Sequence, residues 1–302
     1  MATWKEVADD VDKNYCGDAN AALRKYLEEY AEHASRNVVV YYSCWLQKPQ
    51  LTQKFPEGFI IADGDKISFM DCFSKLESSR GLDLVLHTPG GDIAATESLV
   101  AYVRATFGTN VRAVVPQLAM SCGTMIACAC KEILMGKQSS LGPTDPQIHG
   151  VPAQAILDEF ERAVEDIKKD PVRRHAWQPI LSNYGPTWVE EADNASKWAV
   201  DLVREWLQTG MFKRKRNASE RTERVLARFG SHSKTKSHSR HISRTDAKAC
   251  GLSVTRLEAD EELEDIVVNL HNLCVLSAMR NPSLTKMMAN HLGACHHTVV
   301  AR

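Results

Sequence analysis

Short apolar runs of strand length alternate with helical patterns from residue 37 to residue 136, and this alternation restricts the fold more than any other feature. The predicted strands are rich in β-branched and apolar residues: NVVVYYS (37–43), GFIIADGD (58–65), LDLVLHT (82–88), VRAVV (111–115) and EILMG (132–136). Strands separated by helices at this spacing predict βαβ units. Because the runs are apolar on both faces, they favour a mostly parallel sheet that is covered on both sides. The expected fold class is therefore α/β.

Helical spacing of apolar residues fills the intervals between these strands. The predicted helices cover residues 20–35, 65–79, 93–108 and 121–131. In the second of them, one buried face is expected to carry Ile67, Met70, Phe73 and Leu76.

Four segments follow from these patterns. Residues 1–36 are expected to be helical, residues 37–150 to form the α/β core, and residues 151–230 to form a helical extension. Residues 231–302 are expected to complete the fold with a late strand at 251–260 and a closing helix at 262–281.

Composition and targeting signals exclude several protein classes. The 302 residues are 44% hydrophobic with a net charge of −1, so the bulk charge does not point to nucleic acid or to an anionic membrane. Nine cysteines without a CxxC pair are typical of a reducing compartment. No signal peptide is recognisable. The expected location is cytoplasmic, with a peripheral membrane association left open.

Two further stretches resemble functional segments and are interpreted differently. The charge-free stretch 113–130 has the length of a membrane span, but Pro116, Gln117, Ser121 and Gly123 favour a buried strand, turn and helix. The run CHH at 295–297 has no spaced partner for metal binding and is interpreted as a polar tail. No metal or cofactor is expected.

The motif HTPGGD (87–92) places two glycines between a strand and a helix. Their N–H groups at the helix N-terminus suit an anion, either a phosphate or the oxyanion of an acyl-transfer intermediate. A tight turn without function is the simpler interpretation of this motif alone.

The motif AMSCGTM (119–125) repeats this arrangement after the next strand. Ser121 begins a helix, where the helix dipole stabilises an alkoxide and the N–H of Cys122 can donate. Alone, Ser121 is equally explained as a helix N-cap. Ligands bind beyond the carboxyl ends of parallel strands, so the two motifs are expected to face one crevice.

These two motifs, followed by MGKQSSLGPTDPQ (135–147), resemble the Clp-protease and signal-peptide-peptidase fold of serine peptidases. The most similar family is the serine dehydrogenase proteinase family, which is SppA- and ClpP-like. Softer similarity extends from TWKEV (3–7) through YYSCWLQK (41–48) to RHISRTDAKACGLSV (240–254).

The resemblance implies a serine endopeptidase. Ser121 corresponds to the nucleophile, and Gly90 or Gly91 together with Cys122 corresponds to the oxyanion hole. Relatives of this fold form closed oligomers, so the resemblance also implies a homo-oligomer that acts on a protein or peptide substrate.

The general base stays open between two residue types. Clp-type members carry a His about 25 residues after the serine, where this sequence has Pro146 with Asp145 and His149 nearby. Signal-peptide-peptidase members use a Lys, which points to Lys168 or Lys169. TDAKACGL matches the segment after the Clp-type acid, which brings His238 and His241 near that place.

A histidine needs little tuning to act as a base near neutral pH, whereas a lysine needs desolvation. We therefore favour His241 or His238 over the two lysines, with Asp145 and His149 as supporting residues.

Two alternatives belong to other functional classes. A crotonase-like acyl-CoA enzyme would use the same oxyanion hole with carboxylates such as Glu97 and Asp145. A binding module would use the basic segment 213–244, which has eleven Lys and Arg against two Glu, to hold nucleic acid or another anion. Such runs are more often solvated surfaces, so nucleic acid is not the expected partner.

Overall fold

The structure, a computed structural model, describes residues 2–230 and 237–300. Its α-helices, numbered α1 to α12, are Trp4–Asn14, Ala19–Ala34, Pro49–Lys54, Asp65–Phe73, Ile93–Phe107, Cys122–Ala129, Ala153–Lys169, Arg174–Leu181, Trp188–Thr209, Ala218–Phe229, Arg244–Cys250 and Glu261–Arg280. The helices predicted at 20–35, 93–108 and 121–131 lie within two residues of those bounds, whereas the helix predicted at 65–79 ends at Phe73.

The strands, numbered β1 to β12, are Asn37–Ser43, Leu82–His87, Val111–Val115, Leu118–Ala119, Glu132–Met135, Ser140–Leu141, Gln147–Ile148, Val151–Pro152, Ile242–Ser243, Val254–Arg256, Leu284–Asn290 and Cys295–Val299. Seven of them form the main sheet in the order β10-β5-β3-β2-β1-β11-β12. The first five of that order run parallel to one another, β11 pairs antiparallel with β1, and β12 pairs antiparallel with β11. The predicted α/β class with a mostly parallel sheet is confirmed.

Helices cover both faces of the main sheet. Alternate residues of β1 point to opposite faces, because side chains in a strand have a period of two. Val39 packs with apolar residues of α4, α5, α6 and α9, whereas Val38 and Val40 pack with those of α1, α2 and α12. This double cover explains why the strand sequences are apolar on both faces.

Two sequence predictions near the glycine motif were wrong. Residues 58–65 form no ladder strand; Ile61 makes a single parallel bridge to Gly91, and side chains hold the rest of the segment. In α4 the buried apolar residues are Phe69, Cys72 and Phe73, whereas Ile67 is 73% exposed and Met70 is 53% exposed. The helix is two turns long and turned so that Asp65, rather than Ile67, enters the core.

The C-terminal segment is also different from its prediction. The helix at 261–280 does not close the chain, because β11 and β12 follow it and the CHH run lies in β12. All seven residues of β11 are buried although Thr285, Lys286 and Asn290 are polar. Because of these polar residues the strand was not predicted from the sequence. A buried lysine needs a charged or polar partner, and that partner is recognisable only in the folded chain.

The predicted segments meet in one sheet. Strands β10 and β11, from the segment 231–302, pair with β5 and β1 of the segment 37–150, and β12 pairs with β11. The helices of 1–36 pack on the same sheet. The division at residues 36, 150 and 230 stays a prediction.

The stability of the fold is expected to depend on pH through His271. Its ring lies beside Tyr42, whose hydroxyl is 3.0 Å from Nδ1, and burial lowers the pKa of His271 from 6.5 to about 4. Between these values the unfolded chain binds the extra proton, so acidification favours unfolding. We expect the free energy of unfolding to fall by about 1.4 kcal/mol for each pH unit through that window because of this one group.

Urea unfolding between pH 4 and pH 6.5 measures this slope. His271→Gln, which keeps a polar partner for Tyr42, should remove this contribution. The neighbouring His87, whose pKa burial also lowers, would leave a residual slope. An unchanged slope in the variant would contradict the assignment to His271.

Candidate active site

A small three-stranded sheet beside the main one brings three distant segments to a common edge. In it, β4 pairs with β6 in parallel and β6 pairs with β9 antiparallel. The carboxyl ends of β4 and β6 and the amino end of β9 therefore lie at the same edge. Ser121 follows β4, Asp145 follows β6 and His238 precedes β9. The pairing thus gathers a hydroxyl, a carboxylate and an imidazole that are far apart in the chain.

Ser121 has an unusual backbone conformation, with φ of 51° and ψ of −119°. A non-glycine residue in this region costs about 1–3 kcal/mol, and such strain concentrates at functional sites. The residue stands at the N-cap position of α6, yet its side chain makes no capping hydrogen bond. The N-cap explanation of Ser121 is therefore not supported, and the strained turn presents its hydroxyl at the N-terminal end of α6.

The glycine turn after β2 lies directly against Ser121. Gly90 has φ of +109°, and a Cβ built on it would be 2.6 Å from the Cβ of Ser121. A Cβ on Gly91 would be 2.3 Å from the backbone N and O of Ile61. Only glycine fits at both positions, because the turn is in contact with the serine on one side and with another backbone on the other.

Gly90→Ala is expected to lower the free energy of unfolding by about 3 kcal/mol or more, because it adds a clash with the Cβ of Ser121 to the cost of a positive φ. Gly108→Ala is a matched control: Gly108 has φ of +60° with nothing within 4 Å of an added Cβ. That variant should cost about 1–3 kcal/mol, which is the cost of the backbone conformation alone. Urea unfolding of both proteins measures the difference. Equal losses would show that Gly90 is required for its dihedral angles alone.

Two backbone N–H groups at this turn are left without an acceptor in the described part of the chain. Gly90 N–H donates to Thr88 Oγ1 at 3.1 Å, whereas no hydrogen bond is found from Gly91 N–H or Cys122 N–H. Cys122 is the first residue of α6, where N–H groups point away from the helix and carry the positive end of its dipole. These two donors are suited to bind an oxyanion.

His238 is held by a buried carboxylate. Its Nδ1 lies 3.1 Å from Oδ1 of Asp145, whose side chain is 2% exposed. A carboxylate that accepts the Nδ1 proton leaves Nε2 as the basic nitrogen of a neutral imidazole. His238 itself lines the cleft and Asp145 lies behind it. The pair is therefore arranged as a general base and the acid that orients it.

A cleft of about 460 Å³ joins these groups. Ser121, His238 and the Gly90–Gly91 turn line it on one side. The remaining walls are mostly apolar: Ile60, Pro89, Ile93, Met125, Pro146, Ile148, Ala195 and Trp198. Helix α9 contributes Ala195 and Trp198, so the helical extension forms part of the cleft.

The thiol next to Ser121 is not set up as a nucleophile. Burial raises the pKa of Cys122, and its Sγ lies 3.0 Å from the carbonyl oxygen of Gly91, to which the thiol donates. Because the thiolate is the reactive form of cysteine, the raised pKa favours the hydroxyl of Ser121 over this thiol.

The other candidate bases lie away from the cleft. Lys168 and Lys169 are exposed at the end of α7, and Lys169 is 3.8 Å from Glu165. His241 is exposed, and His149 stacks on Trp188 with ring centroids 4.5 Å apart. None of these four residues lines the cleft. The structure therefore places His238, but not His241, His149 or the lysines, in the cleft that Ser121 lines.

The sequence contained both His238 and Asp145 but did not pair them. They are separated by 93 residues, and neither belongs to a motif that names the other. The pairing of β6 with β9, two residues in each strand, is the signal that links them, and strands so short carry no recognisable pattern.

The described residues give no indication of a metal centre or a membrane span. Within 2–230 and 237–300, no group of three or more His, Cys, Asp or Glu could hold a metal ion. Among the helices in the same ranges, none combines the length and the apolar character that crossing a membrane requires.

The basic segment 213–244 is divided between described and undescribed residues. Residues 231–236 lie outside the described part. Lys213–Arg216 is exposed, whereas arginines of α10 face acidic groups: Arg224 lies 3.7 Å from Glu220 and Arg228 lies 3.8 Å from Asp246.

Comparisons with known proteins agree with this geometry. The family described as "ClpP-like SDH-type serine proteinase" matches residues 59–173, which include both glycines, Ser121 and Asp145 but not His238. Two uncharacterized proteins of Methanocaldococcus jannaschii are each 38% identical to this chain, over 89 and 91 residues. The two matches cover 30% of this chain and 30% and 32% of those proteins, so the chain spans about a third of their length.

The suspected relationship is thereby confirmed for the part of the chain that carries the serine and the glycine turn. Residues 59–173 match the model of the ClpP-like SDH-type serine proteinase family.

Proposed function

We propose that this protein is a serine-type endopeptidase in which Ser121 is the nucleophile, His238 is the general base and Asp145 orients the histidine. Family membership supports a serine peptidase in general terms. The observation that carries the specific assignment is the strained Ser121 in one cleft with His238, whose Nδ1 is held by the buried Asp145.

In the proposed reaction, Ser121 Oγ attacks the carbonyl carbon of the scissile peptide bond. Nε2 of His238 takes the hydroxyl proton, and the N–H groups of Gly91 and Cys122 donate to the oxyanion. The imidazolium then gives its proton to the leaving amine as the C–N bond breaks, which leaves an acyl ester on Ser121. A water molecule attacks the ester with His238 again as the base, and the acid product and the free serine are released.

The chain order of the three groups is Ser, Asp, His. Such a triad is recognised by geometry rather than by order, because the same constellation occurs in several orders on unrelated folds. Asp145 serves Nδ1 from a buried position, which fits an orienting role and leaves Nε2 for proton transfer.

The crotonase-like alternative is not supported, because the carboxylates that it would use are not free in the cleft. Glu97 does not line the cleft, and Asp145 contacts His238. Asp92 does line it, but its carboxylate caps α5 by accepting from Ala95 N at 2.8 Å. An acyl-CoA enzyme of that class would need a free carboxylate next to the oxyanion hole.

A substrate comparison tests the proposal. The purified protein is incubated separately with a mixture of unstructured peptides and with short-chain acyl-CoA thioesters, and products are followed by mass spectrometry. Peptide cleavage with a transient acyl adduct on the peptide containing Ser121 is expected. Conversion of the thioesters without any peptide cleavage would overturn the peptidase assignment.

Several finer expectations from the sequence stay predictions. They are assembly into a homo-oligomer, a cytoplasmic location with peripheral membrane association left open, and a solvated rather than nucleic-acid-binding role for the segment 213–244.

A further inference from the structure

A buried ion pair lies beneath the glycine turn and has no role in the reaction described above. Nζ of Lys286, in β11, is 2.6 Å from Oδ1 of Asp65, in α4, and both side chains are 4% exposed. The hydroxyl of Tyr41 donates to Oδ2 of Asp65 at 2.9 Å. Replacing a buried pair of this kind by apolar residues often leaves stability unchanged or higher. Stability alone therefore does not explain why a lysine and an aspartate occupy these positions.

The other hydrogen bonds of the pair are directed at one backbone segment, residues 59–62. Lys286 Nζ donates to the carbonyl oxygen of Ile60 at 2.9 Å, and Ala62 N–H donates to Oδ2 of Asp65 at 3.1 Å. Ser43 Oγ donates to the carbonyl oxygen of Phe59 at 2.7 Å. Side chains thus hold a segment that lacks a ladder partner of its own apart from the bridge at Ile61.

That segment in turn fixes the glycine turn. Ile61 N–H donates to the carbonyl oxygen of Gly90 at 2.8 Å, and Asp92 N–H donates to the carbonyl oxygen of Ile61 at 2.9 Å. The peptide groups on both sides of Gly91 are therefore anchored to Ile61. The contact is so close that a Cβ on Gly91 would lie 2.3 Å from Ile61. The direction of the Gly91 N–H follows from the position of the segment 59–62.

We propose that Lys286 and Asp65, with Tyr41, are positioning residues that aim the Gly91 N–H at the oxyanion. This inference rests on the proposed function. The ion pair supplies directed hydrogen bonds that an apolar pair would lack, and it connects β11 and α4 to the turn. A displacement of about 1 Å at a reacting group lowers a rate by about 100-fold, so loss of these bonds should slow acylation more than it unfolds the protein.

The chain contains a second buried carboxylate of the same kind, and it provides matched controls. Asp83 is fully buried, is contacted by Arg36 and Arg112, and accepts from the hydroxyl of Tyr30 at 2.9 Å. It lies near the start of β2, whereas the glycine turn follows the end of that strand. At about 3.3 Å per residue, the two sites are about 16 Å apart along the strand. Tyr30→Phe and Arg112→Met therefore repeat the chemical change without touching the segment 59–62.

The test measures two properties in the variants Tyr41→Phe, Lys286→Met, Tyr30→Phe and Arg112→Met. The first is the rate at which a fluorophosphonate labels Ser121, taken well below each unfolding temperature. The second is amide hydrogen exchange in peptides that cover residues 59–62 and 88–92. We expect labelling to slow about tenfold in Tyr41→Phe and about 100-fold in Lys286→Met, with exchange at 88–92 faster in both. The two controls should label within about twofold of the wild type.

The outcomes separate this inference from the proposed function. Labelling that slows equally in Tyr41→Phe and Tyr30→Phe would overturn the positioning role, because general destabilisation would explain both. If Lys286→Met does not fold, Tyr41→Phe decides, since it removes one hydroxyl and keeps the ring. If the wild type is not labelled at all, the proposed function fails, and hydrogen exchange alone decides. Exchange at 88–92 that is faster in Tyr41→Phe but not in Tyr30→Phe supports the anchoring of the turn. Unchanged exchange in Tyr41→Phe overturns it.

Discussion

Replacing Ser121 by Ala is expected to lower peptide hydrolysis by about 10⁴-fold or more, because the variant lacks the atom that forms the acyl-enzyme. The fold should persist, since alanine fills the same space in the turn between β4 and α6. The strained dihedral angles of the residue are shared by both side chains, so the free energy of unfolding should change by less than about 1 kcal/mol.

Intact-protein mass spectrometry after exposure to a fluorophosphonate measures the effect directly. The wild type should gain one adduct that maps to Ser121, and the variant should gain none. Ser140→Ala is a suitable control, because Ser140 lies in β6 of the same small sheet but does not line the cleft. Full hydrolysis by Ser121→Ala, or an adduct on another serine, would contradict the mechanism.

His238→Ala is expected to lower the rate of hydrolysis by about 10³-fold or more, because no group then accepts the Ser121 proton. His241→Ala should stay within about twofold of the wild type, since its side chain is exposed and away from the cleft. The two histidines are only three residues apart in the same basic segment, so the pair is a sensitive test of the geometry.

Rates of fluorophosphonate labelling in both variants measure the contribution of the base. Labelling should slow in His238→Ala by about the same factor as hydrolysis, and it should stay within about twofold of the wild type in His241→Ala. Lys168→Ala and Lys169→Ala complete the comparison. A large loss of activity in either lysine variant, with His238→Ala still active, would show that the general base is a lysine.

The core of the fold follows from local patterns in the sequence. The strands at 37–43, 82–87, 111–115 and 132–135 are mostly apolar runs, and a run that is apolar on both faces can be recognised as a buried strand without knowledge of its neighbours. The same is true of the glycine turn and of Ser121, since both stand where a strand passes into a helix and their backbone geometry is set within a few residues.

Three features could not be predicted because their residues act through distant partners. Strand β11 contains three polar residues among its seven, and its lysine is buried only because Asp65 lies opposite it in space. Helix α4 was predicted with the wrong face buried, because Ile67 and Met70 have the spacing of a buried stripe but are exposed. Asp65 is buried instead, since its charge is paired in the core. His238 and His241 cannot be distinguished in the sequence, because both lie in the same basic segment. Only the folded structure shows that His238 contacts a carboxylate, that of Asp145.

The sequence by itself determined the α/β class, the serine at the start of α6 and the glycine turn that faces it, because these depend on periodicity and on backbone freedom over a few residues. The tertiary structure decided which histidine serves the serine and how the turn is held. Both depend on pairings between segments that are 93 residues apart, for Asp145 and His238, and 221 residues apart, for Asp65 and Lys286. Such pairings form only when the whole sheet has assembled, since hydrogen bonds between buried polar groups are favourable only after both partners have left water.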